Sequence, residues 1–350
     1  MNVPSGAGVG KNGAEERNQT HGPALRYSEN ELDIVRLAAS GALATGALGA
    51  EARADGPDHR QRYGIPAAMA VSDTSPRVAV VTGASSGIGL YTALGLARDG
   101  MRVIMTGRNH ERTETARSFV AARAEGAQLE TALADFGSLA AIRGLADEIL
   151  GRHDRLDVLV NNAGLISPHY RLSEDGFELT FAVNHLAPFL LTNLLLDRLK
   201  TSAPARVITV ASRAHRGSRI ELATITGSRG WSMGQSYGRS KLCNILFTRE
   251  LARRLEGTGV TATCLHPGGV ATGFGQRGGL VELGWRLAKP FMISAEKGAE
   301  TTLFLATIAD ATPFNGGYVV SKVLERPDPA ALDDSLARRL WDESARLVGL

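Results

Sequence analysis

From Arg77 onward the chain alternates short apolar runs with longer amphipathic segments, and this alternation limits the fold more than any other feature. VAVVT (78–82), VIMT (103–106), residues 129–133, LDVLV (156–160), RVITVA (206–211) and VTATCLH (260–266) read as six strands, with YVV (318–320) as a short seventh. The first run is apolar throughout, as a strand buried on both faces would be. Helical segments fall between them: one through about Arg98, a charged one from about His110, then 138–151, 173–200 and 236–256. Strands joined by crossovers of this length run parallel, with helices on both faces of the sheet. The expected fold class is α/β, a doubly wound parallel sheet of about seven strands, whose ligands sit at the C-terminal strand ends.

The beginning of the chain has a different character. Met1 to Ala68 holds seven Lys/Arg and eight Asp/Glu among scattered Gly, Asn and Ala, without a strand-like run. Such a segment cannot bury enough apolar surface to offset its ordering entropy. Residues 1–74 are therefore expected to be a low-order extension, and residues 75–350 the folded domain. Met69 stands just before the first strand and is an alternative initiator, in which case residues 1–68 are a start-site artefact.

Composition removes several classes of function. No run of eighteen apolar residues occurs, so no transmembrane helix is expected. The two cysteines, Cys243 and Cys264, cannot form a disulfide framework, and no secretory leader is visible. A reducing, cytoplasmic setting follows as the expectation. A net charge of +3 gives no argument for a nucleic-acid partner. No Cys/His/Asp group has metal-ligand spacing, so no metal is expected, and His185 and His215 are read as structural or substrate-adjacent.

The first strand runs into Thr82-Gly83-Ala84-Ser85-Ser86-Gly87-Ile88-Gly89. The first glycine permits a tight turn, the second lets backbone approach a diphosphate, and the third lets helix and strand pack closely. The helix that follows points its first N–H groups at the anion. The same stretch contains Gly83-Ala84-Ser85-Ser86-Gly87, the GxSxG pattern of a hydrolase nucleophile elbow. A serine hydrolase using Ser85, with His266 as a base, is thus a remote alternative, although Gly89 has no role in an elbow.

Four motifs in order give the chain its resemblance. TGASSGIG follows the first strand, Asn161-Asn162-Ala163-Gly164 closes the fourth, Tyr237-Gly238-Arg239-Ser240-Lys241 has the form YxxxK, and Pro267-Gly268 follows the sixth. With these, residues 77–325 resemble the short-chain dehydrogenase/reductase family. FAVNHLAPFLLTNLLLDRLK (181–200), SRAH (212–215) and YGRSKLCNILFTRELARRL (237–255) look most like its retinol-dehydrogenase-like members. The resemblance implies a single Rossmann-type domain and hydride transfer between a nicotinamide and a carbonyl or alcohol.

Tyr237 and Lys241 are four apart on an expected helix and share a face. A free phenol has a pKa near 10. An ammonium at ~4–5 Å, at an effective dielectric of ~20, stabilises the phenolate by roughly 3 kcal/mol. That lowers the phenol by about two pK units, towards working pH. Neutral Tyr237 can then donate a proton to a developing alkoxide, and its phenolate can accept one. Ser212 ends the fifth strand and can orient the substrate oxygen; its other reading is a cap for the next turn. The resemblance adds Asn184 as a fourth catalytic residue, holding a water that relays protons through Lys241. Its other reading is a polar residue on a solvated face.

The second strand ends Met105-Thr106-Gly107-Arg108-Asn109, where an NAD-binding chain carries an acid for the ribose 2′-hydroxyl. Arg108 instead suits a 2′-phosphate, so NADP(H) is expected in preference to NAD(H). By resemblance the cofactor site comprises Gly83, Ser85, Ser86, Gly87, Ile88 and Gly89 of the loop. Arg108, Asp135 and Phe136, and Asn161, Ala163 and Gly164, join them, with Tyr237, Lys241, Pro267, Gly268 and Thr272. Asp135 is assigned to the adenine amino group, with capping of the next helix as its other reading. Asn161 is assigned to the adenosine ribose and Thr272 to the carboxamide.

The substrate pocket is expected between the loop after Gly164 and the stretches 213–235 and 273–293. Trp231 and Met233 lie in the second. Phe274, Leu280, Val281, Leu283, Trp285, Leu287 and Phe291 lie in the third. These suit an apolar carbonyl or alcohol, retinoid-like, steroid-like or lipid-derived. Packing on the body of the protein or on a second subunit is the alternative use of these residues. A helix–helix homodimer is the usual family assembly. A dinucleotide-binding sensor or assembly protein without turnover is the main functional alternative.

Overall fold

A computed structural model describes residues 76–269 and 293–350. Among these described residues eight strands form one sheet: β1 (Val78–Val81), β2 (Arg102–Gly107), β3 (Leu129–Leu133), β4 (Val158–Asn161), β5 (Ala205–Val210), β6 (Val260–His266), β7 (Tyr318–Val320) and β8 (Val323–Leu324). Their order is β3-β2-β1-β4-β5-β6-β7-β8. All neighbours are parallel except β7 and β8. The chain winds outward from β1 to β3, then crosses back to place β4 on the other side of β1. The crevice of a doubly wound sheet opens at that reversal, beyond the C-terminal ends of β1 and β4. The expected fold class stands, with one strand more than anticipated.

β8 escapes a sequence reading for a physical reason. It is two exposed residues long, with no periodicity to read. Its hairpin turn is Ser321-Lys322, both left-handed at φ 50° and 68°. Such turns usually announce themselves with Asn-Gly or Asp-Gly.

Among the described residues seven longer helices flank the sheet: α1 (Gly87–Arg98), α2 (His110–Ala121), α3 (Leu139–Arg152), α4 (Leu179–Thr201), α5 (Met233–Arg254), α6 (Ala295–Thr307) and α7 (Asp334–Val348). One core lies under α1, α2 and α6, where Leu94, Leu96, Val120 and Leu305 meet Val81, Met105 and Val160. The other lies under α3, α4 and α5, where Ile142, Leu190 and Leu246 meet Val80, Leu159 and Val207. Each fully buried Leu, Ile or Met removes enough apolar surface from water to contribute about 1.5–3 kcal/mol.

α4 is the one described helix apolar and long enough to cross a membrane, with mean hydropathy 1.5, but most of it is packed inside the second core. It begins at Leu179, capped by the Glu178 carboxylate, later than the 173 read from the sequence. Its turn over Ala182–Leu186 widens into a π-helix that contains Asn184 and His185. α7 packs on the outer side of α4 and α5. Trp341 meets Phe189 edge-on with centroids 4.9 Å apart and stacks on Phe247 at 5.8 Å.

Candidate active site

The loops after β1 and β4 are stitched together by a threonine and an asparagine. The Thr82 hydroxyl accepts from the amides of Asn162 and Ala163, both at 2.9 Å. Asn162 Nδ2 donates to the Thr82 carbonyl at 2.7 Å. The sequence reading assigns neither residue a role of its own, although both lie within its motifs. The motif's other asparagine, Asn161, is buried and donates to Thr192 Oγ1 at 2.9 Å.

Gly83 and Gly87 adopt left-handed φ of 67° and 59°, which side chains disfavour. Gly89 is needed for space: a Cβ there would meet the Gly83 carbonyl oxygen at 2.4 Å. This gives Gly89 the packing role that a hydrolase elbow lacks. Ser86 occupies the N-cap of α1 but makes no capping bond through its side chain. The six other described helices each have a side-chain cap: Asn109, Ser138, Glu178, Ser232, Ser294 and Asp333. Gly87 and Ile88, both partly exposed, therefore head a helix whose N-cap side chain does not bond its first N–H groups.

At the end of β2, Arg108 pairs with Asp135 across 3.6 Å, and both side chains are more than half exposed. Asp135 also accepts from the Gly137 amide at 2.8 Å, while Ser138 caps α3. The Phe136 ring belongs to the core. Gly107 packs close to Ser85, bringing the ends of β1 and β2 together. Pro267 and Gly268 follow β6, with Gly268 at φ 94°. Thr272 and the apolar stretch 273–291 lie outside the described residues, as does the extension over 1–74.

Tyr237, Lys241, Asn184 and Ser212 converge beyond the C-terminal end of β5. Ser212 caps a short turn, accepting from the Ala214 amide at 3.2 Å, and its hydroxyl also bonds the Tyr237 phenol. The capping reading of this serine is thus met, and the same hydroxyl faces the phenol. The Lys241 ammonium donates to the Val210 carbonyl at 2.8 Å and lies 5.6 Å from the centre of the Tyr237 ring. Asn184 is buried rather than solvated. Its Oδ1 accepts from the Leu165 amide at 2.8 Å, and its Nδ2 donates to the Leu165 carbonyl and to Ser240 Oγ. One acceptor lone pair of Oδ1 is left for a water. Ser240 Oγ in turn donates to the Tyr237 carbonyl at 2.8 Å. Gly164 sits between Asn184 and Lys241, for a Cβ there would lie 3.2 Å from Asn184 Oδ1 and 3.7 Å from Lys241 Nζ.

The electrostatics differ from the sequence expectation. Burial raises the Tyr237 phenol above its ordinary value, and the Ser212 hydrogen bond offsets only part of this. Burial lowers the Lys241 ammonium to about 8. The expected two-unit lowering of the phenol assumed an ammonium beside its oxygen in a polar setting. Here a hydrogen of that ammonium is engaged by Val210, and desolvation opposes charge on both groups.

Other polar residues support this region. Glu178 is buried, and its carboxylate accepts from the Phe181 amide, Ser236 Oγ and Trp231 Nε1 at 2.8, 2.8 and 3.2 Å. It joins the start of α4 to the residue before Tyr237. Trp231 also meets Tyr170 edge-on, with centroids 6.1 Å apart. His185 is buried against Phe181 and bonds Ser344 Oγ at 2.9 Å, and burial lowers its pKa to about 3. No group of described residues has the make-up of a metal site.

Comparison with known proteins agrees with this arrangement. Residues 77–279 match the short chain dehydrogenase family. Retinol dehydrogenase 12 of Mus musculus is 42% identical over 274 residues, covering 78% of this chain and 87% of that protein. Retinol dehydrogenase 13 of Homo sapiens is 41% identical over 285 residues, covering 78% and 85%. A crystal structure of an uncharacterised protein from Mycobacterium paratuberculosis superposes with a TM-score of 0.63 at 35% identity, covering 78% of this chain and 93% of that one. A short chain dehydrogenase from Burkholderia cenocepacia, solved in complex with NADP, gives 0.57 at 26% identity, covering 73% and 98%. Members of this family are oxidoreductases that bind a nicotinamide dinucleotide, and the open N-terminus of α1 beside two left-handed glycines suits a diphosphate. On sequence, fold and site together, the chain belongs to the short-chain dehydrogenase/reductase family and to its retinol-dehydrogenase-like members.

Proposed function

We propose that the protein is an NADP(H)-dependent oxidoreductase that interconverts an apolar alcohol and its aldehyde or ketone. The observation that carries this reading is the convergence of Ser212, Tyr237 and Lys241 beyond the end of β5. A bound nicotinamide supplies or removes the hydride. In reduction, Ser212 orients the carbonyl oxygen and Tyr237 gives it the proton that completes the alcohol. In oxidation the Tyr237 phenolate takes that proton. Lys241 holds positive charge near the ring, which steadies the phenolate. Asn184 keeps the loop at Leu165 and the start of α5 in register and offers an acceptor to a proton-relaying water.

The cofactor preference rests on Arg108. Its guanidinium is exposed at the end of β2, where an acid would serve NAD, and it suits a 2′-phosphate. Asp135, its ion-pair partner, is left to face the adenine. The relatives named as retinol dehydrogenases favour an apolar, retinoid-like substrate, and Trp231 and Tyr170 supply aromatic surface near the start of α5. The proposed setting is cytoplasmic.

The test is oxidation of NADPH and NADH by the purified full chain across retinoid, steroid, aliphatic and aromatic carbonyls. Turnover is expected with NADPH on apolar carbonyls, and Tyr237→Phe should lower it by about a hundredfold or more. Arg108→Ala should remove the preference for NADPH. Cofactor binding without turnover on any carbonyl would favour a dinucleotide sensor instead.

A further inference from the structure

His215 has no role in the reaction as described, yet it is the most constrained polar residue of the loop that carries Ser212. It is fully buried, at 0% exposure. Its Nδ1 lies 2.6 Å from the Ser212 carbonyl oxygen, and its Nε2 accepts from the Asp328 amide at 3.0 Å. A carbonyl only accepts and an amide N–H only donates. One state of the ring satisfies both neighbours, the neutral imidazole with its hydrogen on Nδ1. The Tyr318 ring of β7 packs edge-on against it, with centroids 5.1 Å apart.

The surrounding contacts run the same way. Arg213 and Arg216 each donate to a Glu325 carboxylate oxygen at 2.8 Å. Arg216 also reaches the Arg326 carbonyl, and the Gly217 amide donates to Asp328 Oδ2. These contacts lie at the surface, where screening leaves each ion pair with little to contribute. The imidazole is the buried link between the two segments, and it holds the backbone of Ser212 itself. Ser212 Oγ accepts from the Ala214 amide, which leaves the hydroxyl hydrogen free to point at the phenol oxygen.

We infer that His215 is a positioning residue: its neutral Nδ1–H tautomer fixes Ser212, and so the hydroxyl that bonds Tyr237, to the segment that follows β8. The inference rests on the reading of Ser212 and Tyr237 as the groups that face the substrate oxygen. His215 is fully buried, and it acts through the backbone of Ser212.

The test compares His215→Phe, which keeps a ring but no hydrogen bonds, with His215→Asn, whose amide can still donate to the Ser212 carbonyl. The Tyr237 titration is read as an ultraviolet difference between each protein and its Tyr237→Phe counterpart. His215→Phe should move the phenol midpoint upward, because a hydrogen bond that favours the phenolate is lost. His215→Asn should return it towards the wild-type value. The kcat for carbonyl reduction should fall between about tenfold and a hundredfold in His215→Phe, with NADPH binding unchanged. Nitrogen NMR of the wild-type chain, with His215 identified by its contact to the Tyr318 ring, should find Nδ1 protonated and Nε2 bare. An unmoved phenol midpoint in His215→Phe, or a hydrogen on Nε2, overturns the inference. If His215→Phe does not fold, the wild-type tautomer decides. If the wild-type chain reduces no carbonyl, the proposed function fails, while the titration and the tautomer still judge the role of His215.

Discussion

The ammonium of Lys241 donates to the backbone carbonyl of Val210, the last residue of β5, at 2.8 Å. This bond ties α5 to the strand end that leads, two residues later, to Ser212. It also removes the ammonium from water, and burial lowers its pKa to about 8 while the neighbouring phenol is pushed up.

The consequence is a pH dependence with a definite sign. Carbonyl reduction should decline as pH rises through about 8, because Lys241 then loses the charge that steadies the phenolate left after proton transfer. The raised phenol keeps its own proton over that range, so the falling limb belongs to Lys241. A pH profile of kcat checks this, and a flat profile to about pH 10 would contradict it.

Gly89→Ala should disturb stability and cofactor binding together. The new methyl would lie 2.4 Å from the Gly83 carbonyl oxygen and 2.5 Å from Asn162 Nδ2, so the glycine loop or the β4 loop must shift. Overpacking of this kind costs about 1–3 kcal/mol. Urea denaturation should show that loss, and NADPH fluorescence titration should show weaker binding.

His185 should give the protein an acid limb of stability. Its folded pKa of about 3 lies below the ordinary value of 6.5, so the unfolded chain binds a proton that the folded chain refuses. Stability from this residue is therefore full above pH 6.5 and is lost as pH falls towards 3. Between about pH 7 and pH 5 the loss should be about 2 kcal/mol. Denaturant midpoints at the two pH values measure it, and His185→Gln should flatten the difference.

Ser321→Asn should stabilise the β7–β8 hairpin. Ser321 sits at φ 50° in a two-residue turn, a conformation that asparagine tolerates better than serine. A gain of about 0.5 kcal/mol is expected. Thermal unfolding of the variant beside the wild type decides it; a lower Tm would mean that the turn is not the strained element it resembles.

Parts of the molecule are legible in the amino-acid sequence because their signals are local. β3 and β6 fall where the apolar runs place them, and α2 begins at His110 as its charge pattern suggests. The glycine loop, the asparagine motif and the YxxxK spacing mark the site because each is a few contiguous residues with one physical purpose. β8 is silent because two exposed residues and a turn without glycine carry no pattern. Glu178 is silent too, for its partners Trp231 and Ser236 stand 53 and 58 positions away.

The sequence by itself determined the succession of strands and helices along the chain, the α/β class, the glycine turn after β1 and the shared helix face of Tyr237 and Lys241. These follow from hydrophobic period, glycine placement and the i,i+4 face of a helix, all short-range properties. The tertiary structure decided the rest. It gave a hydrogen of Lys241 to Val210, buried Asn184 against Leu165 and Ser240, and set the His215 tautomer through Asp328, 113 residues further on. Burial and hydrogen-bond partners set protonation and orientation, and both depend on which distant segments the fold brings side by side.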